Sequence, residues 1–128
     1  MIMLDTYAWI WWASESDRIP KSALNAIEKS DVLGVSIISC WEVAMLVAKK
    51  RIGFKMDVQD WIDQALERPK VLLIQLDPQI TVLSTRLPGE FHGDPADRLI
   101  VATCLKFTLP LVTKDRGITD WRQIQIIW

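Results

Sequence analysis

The chain of 128 residues is half hydrophobic, enough to close one core and too little for two, and its 15 basic and 16 acidic residues leave a net charge of -1. That balance excludes an overall positive field, so any surface that grips nucleic acid has to be local. The apolar start MIMLDTYAWIWWASE carries Asp5 and no basic leader, fitting neither signal peptide nor membrane span, and Cys40 and Cys104 lie in apolar stretches as thiols of a reducing, cytoplasmic compartment.

In chain order, a strand over 2–4 leads through Asp5 into a helix over 6–13 that is crowded with Trp9, Trp11 and Trp12. A second helix over 21–29 opens behind Ile19-Pro20. Residues 32–38 form an apolar strand, followed by a helix over 39–51 that Gly53 closes, then a helix over 58–67 and a strand over 71–76. Asp77-Pro78 caps a helix over 79–87. The stretch 88–95, PGEFHGDP, is the one conspicuous loop, and a helix over 95–107 and strands over 109–112 and 124–127 complete the chain. Short strands, mostly apolar throughout, alternating with helices predict one α/β domain over residues 1–128. Its mainly parallel central sheet of about five strands is covered on both faces.

In such a sheet, chemistry gathers beyond the carboxyl ends of the strands, where loops and helix N-termini converge. Taken singly, each acid found there has a structural explanation. Asp5 suits an N-cap, and Ser39-Cys40-Trp41-Glu42 matches a capping box. Asp94 and Asp97 flank Pro95 at a helix start, and Asp115 in Thr113-Lys114-Asp115 is an ordinary turn acid. Taken together, they share one rim. Acids gathered there would repel one another unless a cation neutralised them, and hard oxygen donors without a His or Cys cluster point to Mg²⁺ or Mn²⁺.

These residues, in this order, resemble the PIN-domain ribonucleases, in particular the short toxins of the VapBC toxin–antitoxin type. The resemblance spans essentially the whole chain: LDT at Asp5, SxxE at Glu42, the run DPADRLIVATCLKFTLPLVTKD holding Asp97 and Asp115, and a terminal strand ending in Trp128. It implies a three-layer α/β/α fold, Mg²⁺- or Mn²⁺-dependent endonuclease action on RNA, homodimerisation, and inhibition by a cognate antitoxin protein. By position, the metal-site and catalytic acids are Asp5, Glu42, Asp97 and Asp115, with Thr113 and Thr6 in support. Asp94 is a departure from the family pattern, and which of Asp94 and Asp97 is the main ligand stays open.

Lys49 and Lys50, with Arg51 and Lys55, form a basic cluster suited to phosphate or to a helix C-terminus. Lys114 and Arg116 flank Asp115. Arg98 follows Asp94 by four residues, the spacing of a helical ion pair, and is a further RNA-contact candidate. Trp9, Trp11 and Trp12 point to different faces of one helix, so a partner interface is expected to cover part of them. His92, the one histidine, is read as a hydrogen-bonded surface residue ahead of a metal ligand. Two other functions are compatible with the pattern: a PIN-like module that binds RNA or protein without cutting, and a phosphorylation receiver domain with Asp77 as acceptor.

Overall fold

The computed structural model describes all residues, 1–128. Five parallel strands, β1 (Ile2–Leu4), β2 (Leu33–Ser36), β3 (Val71–Ile74), β4 (Leu111–Val112) and β5 (Ile126–Ile127), pair in the order β3-β2-β1-β4-β5. Seven helices connect them: α1 (Thr6–Ser14), α2 (Lys21–Lys29), α3 (Ile37–Ala48), α4 (Val58–Leu66), α5 (Pro78–Leu83), α6 (Pro95–Phe107) and α7 (Arg116–Trp121).

The central strands are apolar, apart from Ser36 at the end of β2, because both faces are buried. Leu4, Leu33, Val35 and Val112 pack with Trp9 of α1, Ile27 of α2, Val43 of α3 and Trp61 of α4. Met3 and Leu111 face the other way, onto Ile100 and Val101 of α6 and Ile118 of α7. This is the three-layer α/β/α arrangement. Gly34 keeps the second face thin: a Cβ there would lie 2.6 Å from Met3 Sδ and 2.8 Å from Ile74 Cδ1. No helix is long and apolar enough to cross a membrane.

Several boundaries depart from the sequence reading. The strand expected over 32–38 stops at Ser36, whose hydroxyl accepts from Ile38 N at 3.2 Å and so caps α3. The helix therefore starts ahead of Ser39, and the Ser39–Glu42 capping box does not form. It also ends at Ala48, where Lys50 takes a left-handed φ of 58°, before Gly53 is reached. The helix expected over 79–87 runs only as Pro78–Leu83. Helix α7 was not foreseen: six residues containing Gly117 carry little periodicity, and Asp115 starts the turn by accepting from Ile118 N at 3.0 Å.

Candidate active site

The strand order changes direction at β1, which runs on to β2 on one side and has β4 on the other. The carboxyl ends of β1 and β4 thus border the switch point of the sheet, where ligands of open α/β folds bind. Asp5 leaves β1 there, and Thr113, Lys114 and Asp115 leave β4. Glu42 arrives on the second turn of α3, and Asp94 and Asp97 on the start of α6. Asp5, Thr6, Glu42, Asp94, Asp97, Lys114 and Asp115 line one open cavity of about 410 Å³, with Tyr7 and Trp11 at its side.

Hydroxyl groups hold the acids in place. Asp5, 8% exposed, caps α1 through Ala8 N at 2.7 Å and accepts the Thr113 hydroxyl on its other oxygen. Thr113 also accepts from Asp115 N at 3.0 Å, so one buried threonine links two of the acids. Thr6 donates to Glu42 and lies 2.9 Å from the buried Ser39 Oγ. Ser39, read from sequence as a cap, is therefore a support of the Thr6–Glu42 pair; the earlier start of α3 sets it on that face. Asp94 caps α6, accepting from Asp97 N at 3.1 Å.

The electrostatics are those of acids packed without enough counter-charge. Burial, with repulsion from Asp94, Asp115, Glu42 and Asp5 in addition, pushes the Asp97 carboxyl up to about 8. Asp5 is raised to about 6, again mainly by burial, against the lowering hydrogen bonds from Thr113 and Ala8 N. Burial also raises Glu42. Lys114 is the single basic residue lining the cavity. The donors are hard carboxylate oxygens that the chain leaves under-neutralised, a set that fits a divalent cation of the Mg²⁺ or Mn²⁺ type.

His92 joins this set. Its Nε2 lies 3.4 Å from Asp97 Oδ2, and ligand atoms of His92, Asp97 and Asp115 all fall within 4.8 Å of one another. The sequence reading of an exposed, hydrogen-bonded loop residue holds, and what it leaves out is the approach to Asp97 and Asp115, because nothing local shows that residues 88–94 fold back over the start of α6. Arg98 explains the fold-back. Its guanidinium donates to the carbonyls of Ser84 (3.0 Å), Phe91 (2.8 Å) and His92 (2.8 Å), instead of making the expected ion pair with Asp94. Those bonds occupy the Arg98 guanidinium within the loop.

The remaining candidates separate. Lys114 lies 5.9 Å from the Trp11 ring. Arg116, Lys49 and Lys50 are exposed and outside the cavity lining. Trp9 is fully buried, while Trp11 and Trp12 are half-buried by the chain itself, Trp11 against Tyr7 and Trp128 and Trp12 under Arg68. The most exposed tryptophan is Trp41, at 56%. Asp77 caps α5 and pairs with Lys106 at the end of β3, the far edge of the sheet. A receiver needs its acceptor beside the first strand, in the order 2-1-3-4-5, so that reading is excluded.

A parallel sheet whose switch point gathers acids on threonine supports defines an open α/β domain with an acidic rim site. The chain belongs to the PIN-domain family, whose model matches residues 2–123. It is 38% identical over 121 residues to Ribonuclease VapC22 of Mycobacterium tuberculosis (strain ATCC 25618 / H37Rv), covering 94% of this chain and 92% of that protein. In fold it is similar to VapBC2 from Rickettsia felis bound to a promoter DNA fragment, with a TM-score of 0.70 at 20% identity over 98% and 97% of the two chains. A DNA-bound VapBC from Salmonella typhimurium gives a TM-score of 0.71 at 18% identity, again over 98% and 97%.

Proposed function

We propose that residues 1–128 form one nuclease domain, a divalent-metal-dependent endoribonuclease that is the toxin of a VapBC-type toxin–antitoxin pair. The observation that carries this reading is the convergence of Asp5, Glu42, Asp97 and Asp115 on one cavity, with the Asp5 and Asp97 carboxyls raised by burial and mutual repulsion. The related VapC22 is named a ribonuclease, and the similar folds from Rickettsia felis and Salmonella typhimurium belong to VapBC assemblies.

Asp5, Asp97, Asp115 and Glu42 are the residues that would hold Mg²⁺ or Mn²⁺. Such an ion, when bound, lowers the pKa of a water for attack on phosphorus and offsets charge on the leaving oxygen. The chain's own part is to fix the ligands. Thr113 holds Asp5 and the Asp115 backbone, and Thr6 with Ser39 holds Glu42. Asp94 serves α6 as its cap and adds negative charge to the rim. Lys114 is placed to meet a substrate phosphate, with Arg116, Lys49 and Lys50 as outer contacts. A cognate antitoxin and a second copy of the chain are the protein partners in this reading, and the cytosol, with Cys40 and Cys104 as free thiols, is its compartment.

Incubation of the purified chain with RNA tests the reading. Cleavage is expected with Mn²⁺ or Mg²⁺, none in excess chelator, and none from Asp97→Asn. RNA binding without cleavage at any metal concentration would instead make the chain a non-cutting PIN module.

A further inference from the structure

The acid cavity presents five carboxylates against Lys114, so it repels the phosphates of the strand it is proposed to cut. Affinity for RNA has to come from a neighbouring surface, and with a net charge of -1 that surface must be concentrated in one place. A second groove of about 500 Å³ adjoins the acid cavity, and Tyr7 and Trp11 line both. Its walls carry Arg18, Arg51 and Lys55 against the single acid Glu15. All three cations are exposed, and the Arg18–Glu15 pair, at 3.5 Å with both side chains more than half exposed, is weak enough for a phosphate to displace.

The ridge between the two spaces is aromatic. Tyr7 is 41% exposed and its ring lies 5.6 Å from that of Trp11. Arg18 lies 5.2 Å from the Trp11 ring and Lys114 5.9 Å, so the indole is approached by one cation from the groove and by one from the acid cavity. Cations that track a backbone, beside aromatic faces on which bases stack, are the elements of a single-strand subsite. Resting on the ribonuclease reading above, we infer that this groove holds the single-stranded RNA segment adjoining the scissile phosphate. Arg51 and Lys55 meet its phosphates, and Trp11 is the platform for the base next to the cut. The occupant is a nucleic acid rather than an acidic protein segment because the groove shares its Tyr7–Trp11 wall with the acid cavity, so a strand held in one lies beside the cutting site in the other.

The test compares a ribodinucleotide, which fills little more than the acid cavity, with an unstructured RNA octamer. For Arg51→Ala/Lys55→Ala, kcat/KM on the octamer is expected to fall about tenfold or more, through KM, while the dinucleotide rate stays within about twofold of wild type. Octamer binding in chelator should weaken in parallel, its salt slope falling by about 1.4 for two lost contacts on a single strand. Trp11→Ala should weaken octamer binding about 5- to 150-fold, with Trp11→Phe restoring most of it, as stacking requires. Octamer cleavage and binding equal to wild type in the double variant would overturn the groove while leaving the ribonuclease reading intact. The same result with loss of a bound protein partner would reassign the groove to that partner. A wild-type chain that cuts neither RNA would bring down both readings together.

Discussion

Thr113 donates its hydroxyl to Asp5 across 108 positions of sequence, and accepts in turn from the backbone N–H of Asp115. A fully buried threonine at the end of β4 therefore sets the carboxylate at the end of β1 and the turn that presents a second acid, Asp115. Thr113→Val keeps the shape and removes both bonds. Groups that orient metal ligands typically contribute 10–100-fold, so kcat/KM and Mn²⁺ affinity are each expected to fall by about that factor, with Thr113→Ser close to wild type. Titration calorimetry with Mn²⁺ and steady-state kinetics check it; unchanged Mn²⁺ affinity in the valine variant would detach Thr113 from the site.

The raised carboxyls make stability depend on pH in the metal-free protein. Asp97 is raised to about 8 and Asp5 to about 6, both above their value in the unfolded chain near 4. Between these limits the folded state binds more protons than the unfolded one, so stability falls as pH rises. In chelator, stability is expected to drop steadily from pH 5 to pH 8, read as a falling Tm. Added Mn²⁺ should restore most of it at the upper end by occupying the folded state alone. A Tm that rises over this range in chelator contradicts the electrostatic picture.

Asp94 and Asp97 should separate cleanly. Asp97 sits within the cavity and has no helix-capping duty, so Asp97→Asn is expected to abolish cleavage while raising Tm in chelator above about pH 8, where the native carboxyl is charged and repelled by its neighbours. Asp94 caps α6, and Asp94→Ala should cost about 0.5–2 kcal/mol of stability with a smaller effect on turnover. Denaturant melts and kinetics on the two variants decide the assignment, which is reversed if Asp94→Ala is the inactive one.

Arg98 binds the carbonyls of Ser84, Phe91 and His92, and so draws residues 88–94 over the start of α6. Lysine cannot reproduce three directed donors. Arg98→Lys is therefore expected to speed amide hydrogen exchange in 88–94 by about tenfold, while exchange in β1, β2 and β4 is unchanged. Equal exchange in the loop would show that Phe91 packing on Trp121 suffices to hold it.

Gly34 tests the packing rather than the chemistry. A methyl group there meets Met3 Sδ and Ile74 Cδ1 inside normal contact distance, and overpacking of this kind typically costs about 1–3 kcal/mol. Gly34→Ala should lower the unfolding free energy from denaturant melts by that amount and leave kcat near wild type below the transition.

The layered architecture was legible along the chain because buried parallel strands write themselves as short apolar runs and the helices between them as longer periodic ones. Asp5, Asp97 and Asp115 were legible for a related reason: each sits within a few residues of a strand end or helix start, and local position in an α/β fold predicts proximity to the rim. What stayed hidden depends on side chains meeting across long sequence separations. The capping-box reading of Ser39 failed because Ser36, inside an apolar run, started the helix earlier, and only the folded register shows Ser39 against Thr6. His92 lay in a loop whose path is set by Arg98, a residue whose local spacing suggested an ion pair with Asp94. Arg51 and Lys55 were visible as a basic cluster at the end of a helix. That they border a groove shared with Trp11 follows from packing α1 against the segment after α3, a contact that no local pattern encodes.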